Sequence, residues 1–159
     1  MATEKLHFRV GLAGTYWSRR PRYSVAVNNT VVVSDAEITG ASAEIQPDGR
    51  IQAPDVEYVE FTHEVEEGPV ELQIRLLDKL DTDVVENANK TGILKDLLLN
   101  IRSVEIDEID LGNLMYSQSQ FVGDESHRPV LDACVDLGWR GTWTLRFESP
   151  FYIWLLENI

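Results

Sequence analysis

Asp78, Asp81 and Asp83 lie close together in one polar run, and Asp96 enters from the far side of the same stretch. A hard cation such as calcium takes about six to eight oxygen ligands from carboxylates, amides and carbonyls. These four aspartates, with Glu86 and Asn87 nearby, are therefore the candidate calcium ligands of the chain. The spacing is not that of an EF-hand, which needs a central glycine and a distal glutamate. The competing reading is a solvated acidic loop partly offset by Lys79, Lys90 and Lys95. A second acidic run is Glu105, Asp107, Glu108 and Asp110; Glu105 and Asp107 alternate with Val104 and Ile106, which places both carboxylates on a solvated strand face.

Tyr16 and Trp17 precede Arg19, Arg20 and Arg22, an aromatic and basic patch on an acidic protein. Such a patch stacks on sugar rings or docks onto an acidic protein surface. Core packing, or self-association with the acidic face, explains it equally well. Trp139, Trp143 and Trp154 read as core residues, since Trp143 shares a strand face with Leu145 and Phe147.

Catalytic signatures are missing from the sequence. His7, His63 and His127 are scattered without metal-ligand spacing, and there is no nucleophile elbow, phosphate loop or dinucleotide fingerprint. Paired carboxylates could cleave a glycosidic bond, but 27 acidic residues make such pairs inevitable, so their spacing carries no information. The chain reads as a binding or structural protein, not an enzyme. A net charge of −13 repels phosphate backbones and anionic lipid, which sets nucleic acid and membrane insertion aside. The single cysteine, Cys134, permits no intrachain disulfide or thiolate cluster, and assembly in a reducing cytosol fits. The first residues lack the pattern of a signal peptide, no stretch is long and apolar enough for a membrane helix, and two sequon matches read as chance.

The elements that must position these residues are short strands. Leu6, Phe8, Val10 and Leu12 alternate with polar or small residues, and Tyr23–Val33 predicts a hairpin turning at Asn28-Asn29. Glu37–Ala43 reads as a further short strand, and Pro47-Asp48-Gly49 as a turn. Val56, Tyr58, Phe61 and Val65 suggest a strand with one bulge. Glu67-Gly68-Pro69 turns into the alternating run Val70, Leu72, Ile74 and Leu76. Leu97, Leu99 and Ile101 alternate next, followed by Val104, Ile106 and Ile109, then Thr142–Phe147. Ser117–Leu137 reads as a long irregular stretch, and Phe151–Leu156 as a short strand or helical turn. This pattern predicts an all-β fold, a β-sandwich or jelly roll, as a single domain over 1–159 with short helices or none.

Two segments carry a resemblance: Val70–Leu111, with its strand, acidic loop and Ile-Asp-Glu-Ile turn, and Leu137–Leu155, with Gly-Trp-Arg-Gly-Thr-Trp. Together they resemble a family of tailed-phage proteins, particularly of marine and cyanobacterial phages. More distantly, the strand–loop–strand unit is similar to calcium-dependent xylan-binding carbohydrate modules, which are jelly rolls. The module pattern has an Asp-Arg-Asn-like run after the loop. Here the run is Lys95-Asp96-Leu97-Leu98, so only Asp96 carries over as a ligand. The phage resemblance implies a virion accessory protein, on the capsid or on a tail, neck or fibre, assembled in the host cytoplasm. Its partners would be other virion proteins, copies of itself and host-surface polysaccharide. The alternative is a calcium-assisted glycan-binding module using Asp78, Asp81, Asp83 and Asp96, with Tyr16 or Trp17 as the stacking platform.

Overall fold

The computed structural model describes residues 2–52 and 55–159. The strands in chain order are β1 (Thr3–Thr15), β2 (Arg22–Val27), β3 (Thr30–Glu37), β4 (Glu44–Ile45), β5 (Ile51–Gln52), β6 (Glu57–Glu66), β7 (Gly68–Leu76) and β8 (Val85–Glu86). Then come β9 (Ile93–Lys95), β10 (Leu98–Ile106), β11 (Ile109–Asp110), β12 (Ser119–Gly123), β13 (Leu131–Asp132), β14 (Asp136–Leu137) and β15 (Gly141–Ser149). Two short helices, α1 (Leu114–Ser117) and α2 (Phe151–Asn158), complete the list.

Alternation of apolar and polar side chains gives each long strand one face to bury, and two sheets supply the partner faces. One sheet runs β11-β10-β1-β6, with β14 also paired to β10; the other runs β13-β12-β15-β7-β2-β3. The chain crosses repeatedly between them, from β1 to β2, β6 to β7 and β10 to β12, so the molecule is a β-sandwich. Leu6, Phe8 and Val10 of one sheet and Leu72, Ile74, Trp143 and Leu145 of the other are fully buried in a common core. Full burial of a large apolar side chain contributes about 1.5–3 kcal/mol.

The hydrophobic pattern of β10 changes phase, from Leu99 and Ile101 to Val104 and Ile106, because the β1–β10 register shifts between Gly11 and Leu12. The extra residue on β10 restores the inward direction for the second half of the strand. The bulge expected in β6 does not exist. β6 pairs with β1 in unbroken register, with Tyr58 exposed while Val59 and Phe61 turn inward. Asn28 and Asn29 have positive φ values of 49° and 67°, the backbone a two-residue hairpin demands.

Two further expectations need correction, and at the C-terminal segment the helical alternative holds. Strand β3 ends at Glu37, so Ile38–Ala43 is not a strand; the Ile38 and Ala43 amides instead donate to the carbonyls of Pro21 and Gly14. The stretch 117–137 is not one long loop, since β12, β13 and β14 fall within it. The C-terminal segment is a helix, α2. Phe151 and Trp154 drive into the base of the sandwich beside Phe147, at centroid distances of 5.9 and 5.8 Å.

The registers fix which loops meet. The end of β1 pairs with the start of β10, and the end of β7 with the starts of β2 and β15. The connections 16–21, 38–52, 77–97 and 124–140 therefore gather at one end of the sandwich. The tight turns at Asn28-Asn29, Glu67 and Asp107-Glu108 lie at the other, with α2.

Candidate functional site

At the loop end, the acidic run and the aromatic-basic patch become one structure. Asp81–Asp83 forms a single 3-10 turn, and Asp83 is almost fully buried. The Arg19 guanidinium donates to the Asp83 carboxylate through Nε (3.0 Å) and Nη2 (2.5 Å), and to Asp78 through Nη1 (2.8 Å). The Leu80 amide donates to Asp83 Oδ2 at 2.7 Å, closing the turn on itself. Two residues before Arg19, the Trp17 indole N–H donates to the Asp83 carbonyl at 2.8 Å. Trp17 and Arg19 thus grip the same aspartate, one by its backbone and one by its side chain. Burial alone would raise the Asp83 pKa; the Arg19 hydrogen bonds, the Leu80 amide and the charges of Arg19 and Lys79 outweigh it and hold the group below the ordinary aspartate value.

Asp96 is held separately. Its Oδ1 accepts from the Lys79 ammonium at 2.5 Å and from the Leu97 amide at 2.7 Å, and Lys79 also donates to the Leu97 carbonyl at 2.8 Å. The structure therefore divides the four predicted calcium ligands. Asp78 and Asp83 share one guanidinium, Asp96 is neutralised by Lys79, and Asp81 is exposed. Among the described residues no group of three or more His, Cys, Asp or Glu is arranged to hold a metal ion. In this arrangement Asp78, Asp83 and Asp96 each face a side-chain cation. Millimolar calcium is accordingly expected to leave the melting midpoint unchanged; a rise would restore the metal reading by mass action.

Three adjacent cavities of about 630, 330 and 460 Å³ surround this framework, and Asp96 lines all three. The largest lies between the β4–β5 and β8–β9 ribbons. The smallest holds Tyr16 and Trp17, and the third is walled by Lys79, Arg128 and Trp139. Trp17 is 44% exposed, with the Lys95 ammonium 4.8 Å from its ring centroid. Tyr16 is less available: its hydroxyl donates to the Gly40 carbonyl at 2.8 Å, and Arg20 sits 5.0 Å above its ring.

Trp139 packs against the edge of the core, partly buried, and also reaches the groove. It packs against Phe121 at 5.7 Å, is stacked by Arg128 at 4.6 Å, and lines the third cavity. Spacing alone puts Trp139 and Trp143 on one strand face, but β15 starts only at Gly141, so Trp139 belongs to the loop. It sits against Gly123, which pairs with Gly141 across the two strands. A Cβ on Gly123 would meet the Trp139 Nε1 at 2.5 Å, and one on Gly141 would meet the Val122 carbonyl oxygen at 2.5 Å. Because that second neighbour is backbone, Gly141→Ala is expected to cost about 2 kcal/mol in urea unfolding. A neutral result would mean that the two strands separate there at little cost.

A β-sandwich with a loop-built groove at one end is the class that the fold and site define. The chain matches no protein-family model and no curated protein. Comparison with solved structures finds a likeness to a carbohydrate-binding module, described as "vCBM60 in complex with galactobiose". The two chains are 12% identical, with a TM-score of 0.49, covering 87% of this chain and 96% of the other. A likeness of this strength leaves ligand and site to be argued from the chain's own residues.

Proposed function

We propose that this protein is a non-catalytic glycan-binding module whose ligand lies in the loop-end groove against Trp17. The observation that carries this reading is the state of that indole. Its N–H is anchored to Asp83 O at 2.8 Å while nearly half of its surface stays open in a cavity wall. An apolar ring fixed by its polar edge is a rigid, low-entropy platform for the C–H face of a pyranose, and hydroxyl partners surround it. Trp17→Ala is expected to weaken polysaccharide binding by roughly tenfold or more in affinity electrophoresis. Trp17→Phe, which keeps a ring but loses the anchor, should retain part of it. Equal binding by all three proteins would remove Trp17 from the site.

A second reading, compatible with the first, is favoured by α2. Its inward face is buried, yet Tyr152, Ile153, Leu156 and the terminal Ile159 are 52%, 56%, 73% and 80% exposed. An apolar face of this kind supports attachment to a larger assembly. With the sequence resemblance, it supports a virion accessory protein, bound through α2 and presenting the groove outward. Mass spectrometry of purified particles tests this. Leu156→Lys should fold with an unchanged midpoint but fail to incorporate, and absence of the unmodified protein from every particle would end the reading.

A further inference from the structure

The cations of the groove point to the class of ligand. Among the described residues, Lys79 and eight arginines sit in ion pairs. Of the other basic side chains, Lys5, Lys90, Lys95, Arg128 and Arg140, all but Lys5 line the three loop-end cavities. That distribution is unexpected on a chain of net charge −13, where exposed cations find carboxylates easily. The cause is local. Asp78, Asp83 and Asp96, three carboxylates of the acidic loop and its return, are engaged by Arg19 and Lys79. Glu44, Asp81, Glu86 and Glu125 line the same cavities, and among the described residues none of them bridges the four cations.

Two of these cations also stand on the aromatic walls. Lys95 lies 4.8 Å from the Trp17 centroid and Arg128 lies 4.6 Å from that of Trp139. A ligand arriving at Trp17 therefore meets an indole and an ammonium with unfilled hydrogen-bonding capacity together. Resting on the glycan reading above, we infer that the groove takes an anionic saccharide, its uronate carboxylates or sulfate esters accepting from Lys95 and from Arg128 or Arg140. The flanking carboxylates confine this preference to anions presented at set positions, and the acidic remainder of the surface repels a polyanion elsewhere.

Affinity electrophoresis of the full chain against a polyuronate, a sulfated galactan and neutral galactan and xylan tests the inference. The expected result is retention by an anionic gel, declining as salt rises, and weakened roughly tenfold in Lys95→Gln/Arg140→Gln. The melting midpoint of that variant reports its folding. Retention by the polyuronate alone or the sulfated galactan alone supports the inference and identifies the anion. Equal retention by a neutral polysaccharide, insensitive to the double variant, overturns the anionic class and leaves the glycan reading standing. Retention by none of the four overturns both.

Discussion

Replacing Lys79 with methionine is expected to lower unfolding stability by about 3 kcal/mol, because it strands a buried carboxylate. Both partners are withdrawn from solvent, the Lys79 side chain being 11% exposed and that of Asp96 10%. A surface pair of the same geometry would be worth at most about 1 kcal/mol. The loss comes mainly from the unpaired Asp96, so Lys79→Met/Asp96→Asn should recover most of it. Urea titrations of the two single variants and the double variant make the cycle. A single-variant cost below about 0.5 kcal/mol would show the pair to be solvated in solution. The same substitution carries a functional consequence. Lys79 ties the start of the acidic loop to the Leu97 carbonyl at 2.8 Å, and Asp96 lines all three cavities. Loosening that tie should weaken ligand binding as well.

Arg19→Met is the second large effect, expected at about 3 kcal/mol at neutral pH. The arginine is itself partly exposed, at 29%, but its partner Asp83 is only 3% exposed, and the penalty falls on the partner. The pH dependence gives a sharper test than the magnitude. Asp83 is held below its ordinary value in the folded protein. Its contribution is therefore fully present above the unfolded aspartate value of about 3.9 and is lost as pH falls through the lower folded value. Without the guanidinium, burial is opposed only by the Leu80 amide and the Lys79 charge, and protonation costs the variant less. Wild type and Arg19→Met should consequently differ most near pH 7 and converge below about pH 4. Asp83→Asn should flatten the acid side of the profile. A gap of constant size from neutral to acid pH would mean that Arg19 acts through packing and not through charge. Because Trp17 hangs on the Asp83 carbonyl, Arg19→Met should also shift tryptophan emission.

The long strands were legible from composition and alternation. Val70–Leu76 and Thr142–Phe147 need only a period of two and one apolar face, so any pairing that buries that face uses the same residues. The phase change between Ile101 and Val104 was visible too, though its cause, a bulge against Gly11, belongs to the pairing with β1. Short segments were less legible. Ile38 is buried without being in a strand, because its amide is satisfied by the Pro21 carbonyl, a partner distant in sequence. Phe151–Asn158 is helical because Phe151, Trp154 and Leu155 fill the open base of the sandwich at helical spacing, a demand set by the core and not by the segment itself.

For the site, the sequence by itself determined which residues carry chemistry: the acidic run, the Tyr16-Trp17 pair with its arginines, and the absence of catalytic signatures. How they combine follows from the strand registers that bring the loops together. Arg19 and Lys79 lie 64 and 17 residues from the carboxylates they neutralise, Asp83 and Asp96. Charge pairing depends on distance in space, and linear spacing records none of it. Three of the four carboxylates that looked like metal ligands thus became ion-pair partners, and the cations lining the loop-end cavities, Lys95 at Trp17 among them, became the feature a ligand would meet.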